Sequence, residues 1–268
     1  MEKSLRLERV GLSITVRCNL KCKLCNAYSP YYTRENHYSF QCLSKTIMRY
    51  FEVVDMVEKF TVAGGEPLLH PDLPEIIDYL MNYIEKIGVL EIITNGTIVP
   101  NNKLLNALSA SNKIRVLIDD YGPELSQKIP YITVALGDAG VSYVVRKNYE
   151  LEAHYNGWVD LSDLSNKYRT EEENEEIYHR CVYSTKLKCF PILDGKAYIC
   201  ATYKRCLDIG IIKDNPSEYI NLFDDTVSIE AQRNLILEFF NRSYFSSCEY
   251  CNGFFEDSKR YPPAEQLR

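Results

Sequence analysis

Five short runs rich in β-branched and aromatic residues recur up to about residue 150, and helical periodicity fills the gaps between them. The runs are LSITVR ending at Arg17, KFTVAG ending at Gly64, LEIITNG ending at Gly96, KIRVLID ending at Asp119 and VSYVVR ending at Arg146. Between the first two, Leu43 to Phe60 places Ile47, Phe51, Val54 and Val57 three and four residues apart. Leu73 to Ile87 repeats the pattern with Ile76, Ile77, Leu80 and Ile84. Strands alternating with helices predict a parallel sheet, and strands apolar on both faces predict helices covering it. Every run ends in a polar or glycine-rich cluster (RCNLKC, GGEP, TNGT, DDYG, RKN). Ligands bind at the C-terminal ends of such strands, so these five loops are expected to share one rim.

From Asn156 to Glu176 the pattern weakens, and TEEENEE reads as a solvated linker or an exposed helix start. A domain boundary is placed here, giving residues 1–170 and 171–268. Beyond it, KCFPILDGKAYIC predicts a hairpin turning at Asp194-Gly195, a pair that tolerates positive φ. Ser228 to Phe240 predicts a helix with Ile229, Leu235, Ile236 and Phe239 on its apolar side. A chain of 268 residues accommodates one large core and a small appendage. The 21 tyrosines are read mainly as fillers of half-buried surface.

The sequence carries 31 Lys and Arg against 37 Asp and Glu, a net charge of −6, so nothing advertises a nucleic-acid partner. No window approaches the roughly 18 apolar residues needed to cross a bilayer, and MEKSLRLERVGLSITVRC lacks the apolar core of a signal peptide. A cytoplasmic protein with no membrane partner is the expectation. Ten cysteines in a reducing compartment point to metal before disulfides.

Cys18, Cys22 and Cys25 spell C-x3-C-x2-C directly after the first strand. One loop carrying three soft thiolates suits an iron-sulfur cluster or zinc. With Ala63-Gly64-Gly65-Glu66-Pro67 closing the second strand, the chain resembles the radical S-adenosylmethionine (SAM) superfamily. The resemblance implies a 4Fe-4S cluster on Cys18, Cys22 and Cys25 whose fourth iron chelates SAM. It also implies that Leu24 packs on the adenine, that Gly64, Gly65 and Glu66 receive the methionyl amino group, and that Asn95 and Asp119 or Asp120 line the cofactor. The family's usual ribose-binding serine or threonine is not evident on the fourth strand.

Cys181, Cys200, Cys248 and Cys251 resemble the auxiliary-cluster extension of the same superfamily, in its shorter twitch form as opposed to the longer SPASM form. They imply a second, fully protein-ligated 4Fe-4S cluster that carries electrons, with zinc as its competitor. The implied fold is α/β: a partial (β/α)6 TIM-like barrel of about six units, with a small C-terminal auxiliary-cluster domain of β-hairpin plus helix. The implied reaction is reduction by an external flavodoxin- or ferredoxin-type donor and formation of a 5′-deoxyadenosyl radical. That radical abstracts hydrogen from a small-molecule substrate: a sugar, a cyclitol or a nucleotide-linked compound. Oxidation would follow with Arg146 as base, Lys147 lying beside it, or epimerisation with Cys206 or Cys189 returning a hydrogen. A peptide substrate is the runner-up, and a non-catalytic zinc module is the reading from another class. Cys42 and the four histidines are expected to be structural, His70 opening a helix.

Overall fold

The computed structural model describes residues 4–33, 36–150 and 153–267. Strands and helices alternate through β1 (Arg6–Thr15), α1 (Phe40–Val53), β2 (Met56–Gly64), α2 (Leu73–Leu80), β3 (Ile87–Thr94), α3 (Asn102–Leu108), β4 (Ile114–Asp120), α4 (Ile129–Asp138) and β5 (Ser142–Lys147). Then follow α5 (Glu171–Arg180), β6 (Cys189–Leu193), β7 (Lys196–Ala197), α6 (Ala201–Asp208), β8 (Ile220–Asn221) and α7 (Ile229–Phe239).

All eight strands join one sheet in the order β5-β4-β3-β2-β1-β6-β7-β8. The first five run parallel to their neighbours. The sheet does not close, as a partial barrel requires. A sixth parallel strand is present, but β6 lies beside β1 and not beyond β5, with Val10 opposite Phe190 and Leu12 opposite Ile192. The sheet is therefore continuous across residue 170. β6 and β7 form the expected hairpin, with Asp194 at φ 49° and Gly195 at φ 71°.

Alternation along β1 explains its two faces. Val10, Leu12 and Ile14 are buried with Leu43, Ile47, Tyr50 and Phe51 of α1, while Gly11, Ser13 and Thr15 point the other way. Ser39 caps α1 by accepting the Cys42 N–H, and Thr170 with Glu173 forms a capping box on α5. Helix α1 stops at Val53, short of the expected Phe60, because Val57, Phe60 and Val62 belong to β2. Helix α2 gives way after Leu80 to a 3₁₀ turn over Met81–Lys86.

Two expectations about faces are corrected. β5 occupies the sheet edge, and its Tyr143, Val144 and Val145 are exposed, so helices do not cover both its faces. Helix α7 buries Ile236 and Phe239 but leaves Ile229 and Leu235 largely in solvent, and buries Gln232 instead. The Gln232 Nε2 donates to the Asp224 and Val227 carbonyls, while its Oε1 is buried without a hydrogen-bond partner. Among the described residues, no helix is long and apolar enough to cross a membrane.

Candidate active site

The end of β2 is folded directly onto the start of the cysteine loop. Gly65 N–H donates to Thr15 O at 2.9 Å and Glu66 N–H to Arg17 O at 2.7 Å. A Cβ on Gly64 would stand 2.2 Å from Thr15 O, and one on Gly65 2.0 Å from Arg17 O. Only glycine permits that approach, so the two glycines set the distance between the second strand and the thiols.

Three N–H groups are aimed at two of the loop's sulfurs. Leu20 N and Asn95 Nδ2 reach Cys18 Sγ at 3.4 and 3.7 Å, and Gln266 Nε2 reaches Cys22 Sγ at 3.3 Å. Leu20, Cys22 and Ala264 form a small apolar core onto which Cys18, Cys25, Tyr121, Leu125 and Trp158 pack. Burial, joined by neighbouring charges that include the Cys25 thiol, pushes Cys18 up to about 11. Burial and the two neighbouring thiols push Cys22 up to about 12, against the Gln266 bond. Three thiolates crowded in an apolar niche need a cation to coexist, and donors aimed at sulfur are what cluster thiolates use. The residues therefore fit an iron-sulfur centre. Among the described residues, no three His, Cys, Asp or Glu side chains close around one ion; a cluster, whose thiolates each bind a separate iron, asks for no such point.

Cys181, Cys200, Cys248 and Cys251 line a second cavity with Ile177, Tyr178, Tyr183, Ile199 and Phe254. Tyr203 N–H donates to Cys200 Sγ at 3.4 Å and Gly253 N–H to Cys251 Sγ at 3.3 Å. Burial pushes Cys248 up to about 12 and Cys251 to about 11, and the Cys181 thiol raises both further. Arg169 clasps the loop by donating to the Cys248 and Cys251 carbonyls at 3.0 and 2.9 Å. The donor set and its N–H partners fit a four-thiolate metal group.

Near both cysteine sets lies a larger, open cavity of about 240 Å³. Leu24 and Asn26 of the first cysteine loop, Asn148 beyond β5, His154, Tyr155 and Trp158 line it, with Leu161, Tyr183 and Phe254. The last three also line the second cavity, so they form the wall between the two. Burial, with the Arg146 charge, pushes the His154 imidazole down, which favours a neutral ring.

Several sequence-predicted residues take places other than those expected. The Glu66 carboxylate is fully enclosed and accepts from Leu68 N, Asn95 N and Thr94 Oγ1 at 2.9, 2.7 and 3.0 Å. Burial raises it to about 7 against those three bonds. It braces the GGEP turn to the end of β3. Asp119 receives the Arg146 fork, Nε and one terminal nitrogen both at 2.8 Å, and Asn148 Nδ2 at 2.9 Å. Arg146 is thus committed to a bidentate pair, and a guanidinium stays protonated, so it is no base. Cys206 is wholly enclosed in the main core, and Cys189 lies on β6 opposite Arg9, low on the sheet and away from the rim. Neither lines the large cavity. His70 opens α2 as expected, accepting Asp72 N–H on Nδ1 and donating from Nε2 to Tyr38 O.

Sequence reading missed four participants. Ser126, 4% exposed, accepts Tyr121 N–H and donates to Asn95 O at 2.8 Å, tying the ends of β3 and β4 from a loop six residues past the strand. Trp158, Tyr183 and Gln266 come from irregular or distant segments, where neither spacing nor period marks them.

This constellation sits on an open parallel sheet with a three-cysteine loop after its first strand. Residues 12–129 match the model of the radical SAM superfamily. The cofactors of such a domain are a 4Fe-4S cluster and SAM. Among curated relatives, the chain is similar to the GTP 3′,8-cyclase of Syntrophomonas wolfei, 27% identical over 79% of this chain and 68% of that protein. It is 31% identical to an S-adenosylmethionine-dependent nucleotide dehydratase of Selenomonas ruminantium over 43% of this chain and 40% of that protein. Other matched GTP 3′,8-cyclases are spanned over only 38–46% of their length. In fold, it resembles the structure of native anSMEcpe with bound AdoMet, with a TM-score of 0.56 at 16% identity, covering 97% of this chain and 93% of that one.

Proposed function

We propose that the chain is a radical SAM enzyme that abstracts hydrogen from a small nucleotide-type substrate held in the open cavity lined by Leu24, Asn26, His154 and Trp158. The carrying observation is that this one cavity is walled on one side by the first cysteine loop and on the other by residues that also line the four-cysteine cavity. Relatives named for nucleotide chemistry favour a nucleotide over the cyclitol or peptide alternatives.

Cys18, Cys22 and Cys25 would hold the cluster that binds SAM, and Cys181, Cys200, Cys248 and Cys251 an auxiliary 4Fe-4S cluster of twitch type. A cluster held there and reduced by an external donor would supply the one electron that cleaves SAM, and the carbon radical released from SAM would take the substrate hydrogen atom. The chain's own residues do the rest. Gly64 and Gly65 bring backbone carbonyls within reach of an ammonium, and Leu24 offers an apolar face to the adenine. Trp158, Tyr155 and Phe254 present aromatic surface against which a base stacks. Asn26 and His154 offer polar atoms inside an otherwise apolar enclosure, where they are worth more than in water. Residues 1–170 and 171–268 would act as one unit, since the cavity draws on both.

The test is anaerobic reconstitution followed by iron and product analysis. About eight irons and 5′-deoxyadenosine formation with dithionite support the reading, whereas about four irons with one zinc make the tail structural. Cys22→Ala is expected to abolish 5′-deoxyadenosine formation. Retained formation in that variant contradicts the assignment.

A further inference from the structure

The segment Tyr261–Leu267 straps the first cysteine loop from more than 230 residues away. It pairs with Trp158 at one end, Trp158 N–H donating to Tyr261 O at 2.9 Å and Tyr261 N–H to Trp158 O at 2.8 Å. At the other it pairs with Cys22 itself, Lys23 N–H donating to Glu265 O and Leu267 N–H to Lys21 O, each at 2.7 Å. Ala264, 1% exposed, packs against Leu20 and Cys22 beneath this ladder.

The strap delivers one side chain to a sulfur. Lys21 N–H donates to Gln266 Oε1 at 2.7 Å, and only an oxygen can accept it, so the amide orientation is fixed. The NH2 group therefore faces inward. One proton goes to Ala264 O at 2.6 Å and the other to Cys22 Sγ at 3.3 Å. Every polar atom of the amide has a partner, and Cys22 is only 6% exposed, so water does not compete for the sulfur.

We infer that Gln266 is a positioning residue that raises the reduction potential of the cluster on Cys22. The inference rests on the reading that Cys22 is a cluster ligand. A donor on a ligand sulfur stabilises negative charge there, and the reduced cluster carries one electron more than the oxidised one, so the bond favours reduction. Asn95 plays the weaker version of the part at Cys18, 3.7 Å away.

The experiment is a potentiometric titration of the anaerobically reconstituted full chain with dithionite, followed by the electron paramagnetic resonance signal that shifts on adding SAM. Gln266→Leu is expected to lower the midpoint by about 59 mV, a tenfold change in the one-electron equilibrium. Glu265→Ala, which removes only the exposed pair with Lys23, is expected to leave it unchanged and so separates loss of the donor from loosening of the strap. Should Gln266→Leu fail to hold iron, Gln266→Asn withdraws the donor while keeping an amide, and a lowered midpoint is again expected. An unchanged midpoint in the variant that holds iron overturns the inference alone. A wild-type protein with no SAM-sensitive signal overturns the functional reading as well.

Discussion

At the scale of the residue, Glu66 carries the sharpest consequence. Its carboxyl is raised from 4.5 to about 7 by burial, even with three donors on it. A carboxyl harder to ionise in the folded chain than in the unfolded one contributes stability that is full below pH 4.5 and lost as pH climbs through 7. Glu66→Ala is therefore expected to cost most near pH 4, and its cost to shrink by about 3 kcal/mol by pH 8. Anaerobic urea melts of both proteins across that range check the sign, and a cost that grows with pH would contradict it. Cys206→Ala is expected to cost about 1 kcal/mol of core packing and to leave the yield of 5′-deoxyadenosine per substrate consumed unchanged. Product analysis of that variant checks it. Cys18, Cys22 and Cys25 stand out in the sequence because they share one short loop, and Cys248 and Cys251 because two residues separate them, whereas Cys181 and Cys200 are brought to that pair only by the fold. The roles of Glu66 and Cys206 were not legible, because motif and residue type do not tell which way a side chain points once strands pack.

At the scale of the element, the tail is fastened to the first half through α7 and α1. Arg233 on α7 forks onto Asp55, just past α1, at 2.7 and 3.0 Å, and Arg49 Nε on α1 reaches Leu222 O at 3.0 Å. Burial alone would lift Asp55, but the Leu5 N–H and the Arg233 guanidinium hold it below the usual carboxylate range. A depressed carboxylate contributes stability above pH 3.8 that is lost as pH falls through its folded value. Arg233→Ala is expected to cost about 0.5–1 kcal/mol at pH 7, the pair being partly exposed, and to flatten the acid limb of the stability profile. Urea melts from pH 7 down to pH 3 check both. Strand positions β1 to β5 were legible because each is a short apolar run followed by a polar or glycine-rich cluster, and such a run is buried as a strand wherever helices cover it. The seat of β6 beside β1 was not: pairing between strands some 180 residues apart is decided by which edge the intervening chain can reach, which local pattern does not record.

At the scale of the whole molecule, two thiol-lined sites and the cavity near them share one continuous sheet. That arrangement separates what the two cysteine sets do. Cys251→Ala is expected to remove about four irons and to leave cleavage of SAM running without substrate turnover, as measured by iron content and by 5′-deoxyadenosine formed against substrate consumed. Unchanged iron in that variant would mean the tail thiols hold something else. Two sets of cysteines are legible in the sequence; that the cavity lined by the second set shares Leu161, Tyr183 and Phe254 with the larger cavity emerges only from three dimensions. The most direct trial of the account is the electron paramagnetic resonance spectrum of the reduced, oxygen-free protein before and after addition of SAM. A cluster signal whose g-values shift on addition is the predicted result, and a signal indifferent to SAM would contradict the account at its centre.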